Sequence, residues 1–223
     1  MTQNVRGLTS TLVSSLMLAL TLSSCFTGSR PTLEPIDTVV PLGDTAAAAV
    51  VTALTTTATT SFTIEYEITT KFGGQTTRAV IANDEILGTS VEIGDTRYLF
   101  TAEGTTSTCS TTTYECATGI DESRVSDRQL TSAFFKQSAI DRIRQDARIA
   151  VGPAAGYEVT SDDGRTSRCA DFSVVDSQGA SRTKTYCVFE SYGVIASMDT
   201  ADLSVRTLVV EDNADPARFQ PPN

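Results

Sequence analysis

The sequence contains no histidine and no tryptophan among its 223 residues. Without histidine, the chain lacks the usual general base of Ser-His and Cys-His sites and the imidazole ligand of most zinc sites. Basic residues are also in the minority, because 17 Lys and Arg stand against 27 Asp and Glu and leave a net charge of -10. Such an acidic surface repels phosphate groups, so nucleic acid is not an expected partner. We predict a protein that is not an enzyme and has neither cofactor nor metal.

The sequence also lacks an apolar run long enough to cross a membrane. Residues 8–22 are rich in Leu, Val, Ala and Ser, but a membrane-spanning helix needs about 20 mostly apolar residues. This short run follows the single charge of Arg6, which is the order of a secretory signal. Residues 1–24 are therefore predicted to be a signal peptide.

A cysteine closes this predicted signal peptide. The residues Leu22-Ser23-Ser24-Cys25 resemble the lipobox of bacterial lipoproteins, in which the cysteine thiol takes a diacylglycerol. The resemblance implies cleavage before Cys25 and anchorage by acyl chains such as palmitate, since stable anchoring takes more than one chain. The alternative is an ordinary signal peptide with an incidental cysteine. Lipidation predicts a location at the cell membrane, on its extracytoplasmic face.

The stretch after the cysteine is predicted to be a flexible tether. Its three prolines keep the chain extended and prevent regular secondary structure. The predicted organisation is a lipoprotein signal peptide at 1–24, the lipidated cysteine and tether at 25–43, and one soluble domain at 44–223.

Four cysteines remain for the soluble domain. An even number in an exported chain favours two disulfides, and the absence of a C-x-x-C pair argues against a zinc site. Cys169 and Cys187 are symmetric about a turn-like stretch at Gln178. Cys109 and Cys116 are likewise symmetric about a Thr-Thr reversal. The spacing predicts disulfides 109–116 and 169–187.

Two segments have the apolar periodicity of helices. The first has an apolar stripe that begins at Ala47, follows the N-cap candidates Asp44 and Thr45, and gives way to a Thr-rich stretch that disfavours helix. The second, residues 127–148 after Ser126, has a drifting apolar face. This drift predicts a bend or two short helices.

The first strand is predicted from strict alternation of apolar and polar residues after the first helix. Gly73-Gly74 then indicates a two-residue hairpin loop. A loop of that length sets Ile68 opposite Ala79 and Tyr66 opposite Ile81, and the apolar faces agree. We therefore predict an antiparallel hairpin with this register.

A second hairpin is predicted to set Val91 opposite Tyr98, followed by a Thr/Ser-rich hairpin or loop at 103–119. Later strands are predicted at 157–160, 167–175, 183–190, 193–198 and 205–210, before a polar tail at 211–223. Short connections imply antiparallel pairing, and a sheet of roughly nine strands tends to curl. The predicted fold class is α+β, with a curved antiparallel half-barrel and the helices packed in its concave face.

Several stretches carry a family resemblance: Phe62-x-Ile64-x-Tyr66, residues 148–157, residues 185–187 with 192–194, and residues 217–222. Together with the element order, they resemble the LolA-like fold of bacterial lipoproteins of the LppX/LprG type. The resemblance implies an apolar cavity between sheet and helices that holds acyl chains.

The candidate lining residues of that cavity are apolar side chains of the predicted helices and strands: Val51, Leu54, Phe62, Ile64, Tyr66, Ile68, Ile81, Val91, Tyr98, Phe134 and Ile140. For each of them, the alternative is a place in an ordinary packed core.

The sequence thus predicts a membrane-anchored envelope lipoprotein that binds or shuttles lipid, with the membrane and a lipid ligand as its partners. The main alternative is a non-catalytic interaction or envelope-stress sensor module of the same fold. A hydrolase with a Ser-Lys or Asp pair is a third hypothesis. Its only motif, S-x-x-K at Ser181, starts a predicted strand, where residues i and i+3 point to opposite faces.

Overall fold

One antiparallel sheet of eleven strands dominates the described part of the chain in the computed structural model. The structure describes residues 43–56, 61–121 and 130–222. The predicted signal peptide, the proposed lipidation site at Cys25 and nearly all of the tether therefore lie outside the described residues. Ser126 and the first residues of the second predicted helix also lie outside them.

The elements follow one another with short connections. In chain order they are α1 (Thr45–Thr55), β1 (Phe62–Thr70), β2 (Thr76–Asp84), β3 (Gly88–Ile93), β4 (Thr96–Phe100), β5 (Thr106–Ser110), β6 (Cys116–Thr118), a π-helical turn (Phe134–Ser138), α2 (Ala139–Ile149), β7 (Ala155–Thr160), β8 (Thr166–Val175), β9 (Ser181–Phe189), β10 (Val194–Asp199), β11 (Leu203–Glu211) and a 3-10 turn (Pro216–Phe219). The strand order is β6-β5-β4-β3-β2-β1-β11-β10-β9-β8-β7, so β6 and β7 form the edges of an open sheet.

The sheet is curved and carries the helices on one face. Two bulges, at Glu65/Tyr66 and at Ile195/Ser197, interrupt the strand register, and bulges strengthen local twist and bending. Helix α1 packs against β7 to β10, and α2 packs against α1 and β8. The predicted fold class is confirmed. The described chain has two more strands than the roughly nine predicted, because the stretch left as hairpin or loop forms β5 and β6.

Helix α1 begins as the sequence predicts. The Asp44 carboxylate accepts a hydrogen bond from the Ala47 N–H (2.9 Å) and thereby satisfies one of the free donors of the first turn. The helix ends where threonine hydroxyls bond back to the carbonyl of Thr52, which is the competition that makes threonine a poor helix former. Its apolar stripe, including Val50 and Leu54, is fully buried.

The predicted register of the first hairpin is wrong by two residues. Tyr66 pairs with Ala79, and Ile81 pairs with Ile64. The loop holds five residues rather than two, because the strands stop at Thr70 and Thr76. A slip of two preserves the inward-facing set, since side chains alternate with a period of two. The register of the second hairpin, with Val91 opposite Tyr98, is confirmed.

The second helical stretch is irregular in the way that its drifting face predicts. A π-helical turn, Phe134–Ser138, leads into α2. A π turn holds more residues than an α turn, and here the consecutive residues Phe134 and Phe135 are both buried. Within the described ranges, no helix has the length and apolarity needed to cross a membrane.

Buried polar contacts link α2 to the sheet. Asp146 is 3% exposed and accepts hydrogen bonds from the Lys184 ammonium (2.6 Å) and the Tyr186 hydroxyl (2.5 Å). Burial, followed by the charge of Asp146, raises the pKa of Tyr186 far above its usual value. At the other side of α2, Arg142 forms an ion pair with Asp202 (2.9 Å). These partners keep the buried polar groups satisfied.

The structure pairs the domain cysteines as their spacing predicts. Cys109 is bonded to Cys116 across β5 and β6, and Cys169 to Cys187 across β8 and β9. The predicted polar tail, however, is fastened to the sheet. The Arg97 guanidinium donates to two backbone carbonyls of this tail, at 3.0 and 3.1 Å.

Candidate functional site

A cavity of about 760 Å³ lies between the concave face of β1 to β4 and the chain that leads into α2. It lies mainly over β1 to β4 rather than over β7 to β10, against which α1 packs, although Val194 of β10 also lines it. The described residues that line it are Phe62, Ile81, Asn83, Asp84, Glu85, Gly88, Thr89, Val91, Phe100, Ala102, Ser132, Phe135, Lys136, Tyr192 and Val194.

The floor of the cavity follows from strand pairing. Ile81 on β2 is directly opposite Val91 on β3, and Thr89 is opposite Phe100 on β4. Residues that are directly opposite in an antiparallel pair share one face of the sheet. The inward-facing sets of three neighbouring strands therefore form one continuous and mostly apolar floor.

Aromatic rings close the side of the cavity towards the helices. The ring of Phe135 stacks on Tyr66 with centroids 4.6 Å apart, and Tyr66 is itself fixed by a hydrogen bond to the Ile195 carbonyl (2.7 Å). The ring of Phe62 meets Tyr192 at 4.9 Å. Such pairs favour defined ring geometries. The apolar wall is therefore anchored to the packed core.

The β2–β3 turn forms part of the cavity rim and is held by a carboxylate. Asp84 accepts hydrogen bonds from the N–H groups of Ile86 (2.9 Å) and Leu87 (3.0 Å) and from the Ser61 hydroxyl (2.7 Å). The Ser61 bond and these backbone bonds lower the pKa of Asp84. Ile86 is left 79% exposed beside the cavity.

Glycine is required where this turn enters β3. Gly88 has a φ of +102°, which L side chains rarely adopt, and a Cβ there would lie 2.0 Å from the Phe100 carbonyl oxygen. The close approach of β3 and β4 at the rim therefore depends on the absence of a side chain at Gly88.

A polar cluster orients the Tyr192 ring at the rim. Arg165 donates to the Tyr192 hydroxyl (3.1 Å) and forms an ion pair with Asp212 (2.8 Å), which also accepts a hydrogen bond from the Tyr192 hydroxyl. Desolvation, followed by the bond to Asp212, raises the pKa of Tyr192. The hydroxyl is therefore a neutral hydrogen-bonding group, and its ring is free to serve as cavity wall.

The rim combines both signs of charge. Asp84, Glu85 and Lys136 line the cavity together with Asn83 and Ser132. The Lys136 ammonium donates to the Thr56 carbonyl at the end of α1 (3.4 Å). An apolar interior with a few polar groups at its mouth is the usual composition of a site for an amphiphilic small molecule. Across the described residues, no group of three or more Cys, Asp or Glu side chains is placed to hold a metal ion.

The structure places all eleven predicted lining residues in the buried hydrophobic core. Phe62, Ile81 and Val91 also line the cavity. The other eight are buried elsewhere: Val51, Leu54, Ile64, Tyr66, Ile68, Tyr98, Phe134 and Ile140. A role in lipid binding stays a prediction for all of them.

Sequence reasoning missed several lining residues. Thr89 and Phe100 could have been predicted from the confirmed β3–β4 register, since Thr89 lies two residues before Val91 and Phe100 lies two residues after Tyr98. Phe135 was not predicted to line the cavity, because a regular helix places only one of two consecutive residues on its inner face. The π turn instead buries both Phe134 and Phe135. Tyr192 lies in a turn, where no periodic signal exists.

The comparisons with known proteins give a distant structural likeness and no family. The chain is similar to the crystal structure of a LolA superfamily protein from Nitrosomonas europaea, with 9% sequence identity, a TM-score of 0.37, and coverage of 78% of this chain and 96% of that one. No protein-family model matches the chain, and no curated protein matches it. At this distance the likeness carries no argument about fold, ligand or activity.

Proposed function

We propose that this protein is a membrane-anchored envelope lipoprotein that binds or shuttles a lipid by enclosing acyl chain in the cavity over β1 to β4. The observation that carries the proposal is the apolar interior of about 760 Å³ with a mixed-charge rim. Burial of a hydrocarbon chain there is favourable at about 25 cal/mol per Å² of apolar surface removed from water.

The volume sets the amount of acyl chain that the cavity accepts. A methylene group occupies roughly the volume of a water molecule in the liquid, about 30 Å³. Because the cavity of about 760 Å³ is partly open to solvent, division by that volume gives an upper bound of about 25 methylenes. We therefore propose one long acyl chain, or two of medium length, as the enclosed load.

Native mass spectrometry of the exported chain carrying Cys25→Ser tests this proposal. The substitution removes the proposed anchor, so any lipid retained must be bound noncovalently. We expect one equivalent of an acyl-chain lipid, identified by extraction. Repeated isolation without lipid, from the native host and after incubation with long-chain fatty acids, would contradict the proposal.

A matched pair of tryptophan variants locates the lipid. Thr89 lines the cavity, whereas Thr77 has the same half-buried status on the same concave face at the far end of β2. Thr89→Trp places an indole in the cavity and is expected to weaken fatty-acid binding by about tenfold, which corresponds to about 1.4 kcal/mol. Thr77→Trp should bind as the parent chain does.

These variants also separate the two functions that the sequence leaves open. If neither the parent nor the variants hold lipid, a non-catalytic interaction module is favoured. If both variants bind equally well, lipid sits somewhere other than the cavity. Because the chain has no tryptophan, each indole also gives a unique fluorescence signal that reports fatty acid nearby.

The proposed anchor has its own test. Cells that express the parent chain, and separate cells that express Cys25→Ser, are labelled with radioactive palmitate and fractionated. We expect label and membrane association for the parent and loss of both for Cys25→Ser. An unlabelled parent chain would contradict lipidation while leaving the cavity proposal open.

A further inference from the structure

One row of side chains across the cavity floor has a polar pair at its centre. Strand pairing sets Asn83 on β2 directly opposite both Phe62 on β1 and Thr89 on β3. Thr89 in turn is opposite Phe100 on β4. All four side chains line the cavity. The row therefore places an amide and a hydroxyl between two aromatic rings on the concave face.

The polar pair has more hydrogen-bond donors than it uses itself. The Thr89 hydroxyl donates to Oδ1 of Asn83 (3.0 Å). An amide has two N–H donors and a hydroxyl has one O–H donor, and the bond within the pair uses a single hydrogen whichever way the amide is oriented. Within the described residues, neither side chain has a further hydrogen-bond partner. At least two polar hydrogens of the pair are therefore available to a ligand.

These hydrogens restrict what the cavity can enclose. Solvent satisfies such groups in a partly open cavity, whereas a hydrocarbon chain does not. Burial of an amide without a hydrogen-bond partner is unfavourable, and an unmade bond costs more than a made bond contributes. A ligand that covers the pair therefore binds well only if it presents an acceptor there. In an acyl lipid, the acceptor nearest to the chain is the carbonyl that joins the chain to its head.

The polar pair lies where the cavity lining changes from apolar to charged. Two residues further from the β2–β3 turn, Ile81 and Val91 are opposite each other on the floor. Towards the turn, Asp84 and Glu85 directly follow Asn83 in the chain and line the rim. A lipid that lies along these strands has its acyl chain over the apolar rows and its head at the rim. Its linking carbonyl then falls at the pair.

We propose that Asn83, oriented by Thr89, is a specificity-determining residue that donates a hydrogen bond to the carbonyl oxygen of an acyl ester. The inference rests on the proposed function, because it takes the cavity to enclose an acyl chain. It adds the chemical class of the ligand, which is an esterified acyl chain rather than a free acid.

The charge of the rim favours an ester over a free acid. The carboxylates of Asp84 and Glu85 stand against the single ammonium of Lys136. That ammonium already donates to the Thr56 carbonyl (3.4 Å). A carboxylate at the polar pair would be repelled by this negative rim, whereas an uncharged ester carbonyl would not.

A matched pair of ligands isolates the carbonyl. Monooleoylglycerol and the oleyl ether of glycerol share chain and head, and only the ester has a carbonyl. Displacement of a fluorescent fatty-acid probe from the exported chain carrying Cys25→Ser measures both affinities. We expect the ester to bind about fivefold more tightly than the ether, which matches a typical hydrogen-bond contribution. Oleate should also bind more weakly than the ester.

Two variants assign this preference to the polar pair. Asn83→Leu removes the amide at similar side-chain size and should abolish the preference by weakening ester binding alone. Thr89→Val removes the hydroxyl that orients the amide and should reduce the preference in the same way. Denaturant unfolding shows that each variant is folded. A merely structural role of Asn83 would instead change the affinities for ester and ether equally.

The possible outcomes separate this proposal from the proposed function. If the parent chain binds ester and ether equally well, the carbonyl site is overturned and the lipid cavity stands. Tighter binding of oleate than of the ester would also overturn it, and so would equal losses for both glycerol ligands in Asn83→Leu. If the parent chain binds none of these ligands, both proposals fail.

Discussion

The two halves of the sheet share one concave face but use it differently. Over β7 to β10, that face is covered by α1 and α2. Over β1 to β4, it borders the cavity of about 760 Å³. The same alternation of apolar residues thus produces a packed core in one half and an apolar cavity in the other. The difference shows that helix coverage, rather than strand sequence, decides which apolar residues border open space.

The halves also differ in how their polar groups are used. In the covered half, Asp146 is buried and joins α2 to the sheet through Lys184 and Tyr186. In the cavity half, Asp84 is half-buried at the end of β2 and shapes a turn. Buried ionic contacts fix the position of elements, whereas the half-buried Asp84 carboxylate shapes the cavity rim through its turn.

Removing apolar side chains should give the largest contrast between the halves. Leu54→Ala, in α1, should lower the free energy of unfolding by about 4 kcal/mol, because Leu54 is fully buried and its removal leaves a new void. Ile81→Ala should cost about 2 kcal/mol, because Ile81 already borders open space. Denaturant unfolding measures both values, and equal losses would mean that the cavity is as tightly packed as the core.

Removing disulfides should give an intermediate effect. Under the chain-entropy account, loss of Cys169–Cys187 by paired alanine substitutions should cost about 3 kcal/mol and loss of Cys109–Cys116 about 2.5 kcal/mol. The order follows from sequence separations of 18 and 7 residues. Thermal unfolding of the two double variants tests it. A larger loss at Cys109–Cys116 would show that the β6 edge depends on its bond for more than chain entropy.

Acid sensitivity should give the smallest effect. Burial acts to raise the pKa of Asp44, but hydrogen bonds from the N–H groups of Ala154, Ala47 and Ala46 outweigh it and lower that pKa. A lowered pKa in the folded state stabilises the protein above the ordinary carboxyl pKa, and this stabilisation is lost as the pH falls through the lowered value. The free energy of unfolding of Asp44→Asn should therefore decrease less than that of the parent chain as the pH falls below about 4.

Asp84→Asn provides the companion measurement in the cavity half, since the pKa of Asp84 is also lowered. Both variants should lose less stability on acidification than the parent chain does. Urea unfolding at a series of pH values gives the slope of the free energy of unfolding against pH for each variant. A parent-like slope for Asp44→Asn would show that the helix cap does not contribute to acid sensitivity.

Sequence reasoning succeeded where a local rule decided the outcome. Asp44 caps α1 because its carboxylate sits one residue before a helical stretch, and Val91 faces Tyr98 because a tight turn fixes their register. It failed at Ile68, since the loop at Gly73-Gly74 is longer than the glycine pair suggests. It also failed to separate cavity from core, because both need the same inward apolar residues.

The sequence by itself determined the apolar faces of the first two hairpins, the start of α1 and the pairing of Cys109 with Cys116 and of Cys169 with Cys187. Each of these depends on residues close together in the chain, or on a periodicity that survives a register error of two. Only the tertiary structure decided which half of the sheet the helices cover, which strands form the two edges and where Phe135 and Tyr192 meet β1. Those outcomes depend on contacts between distant segments, and no local spacing encodes them.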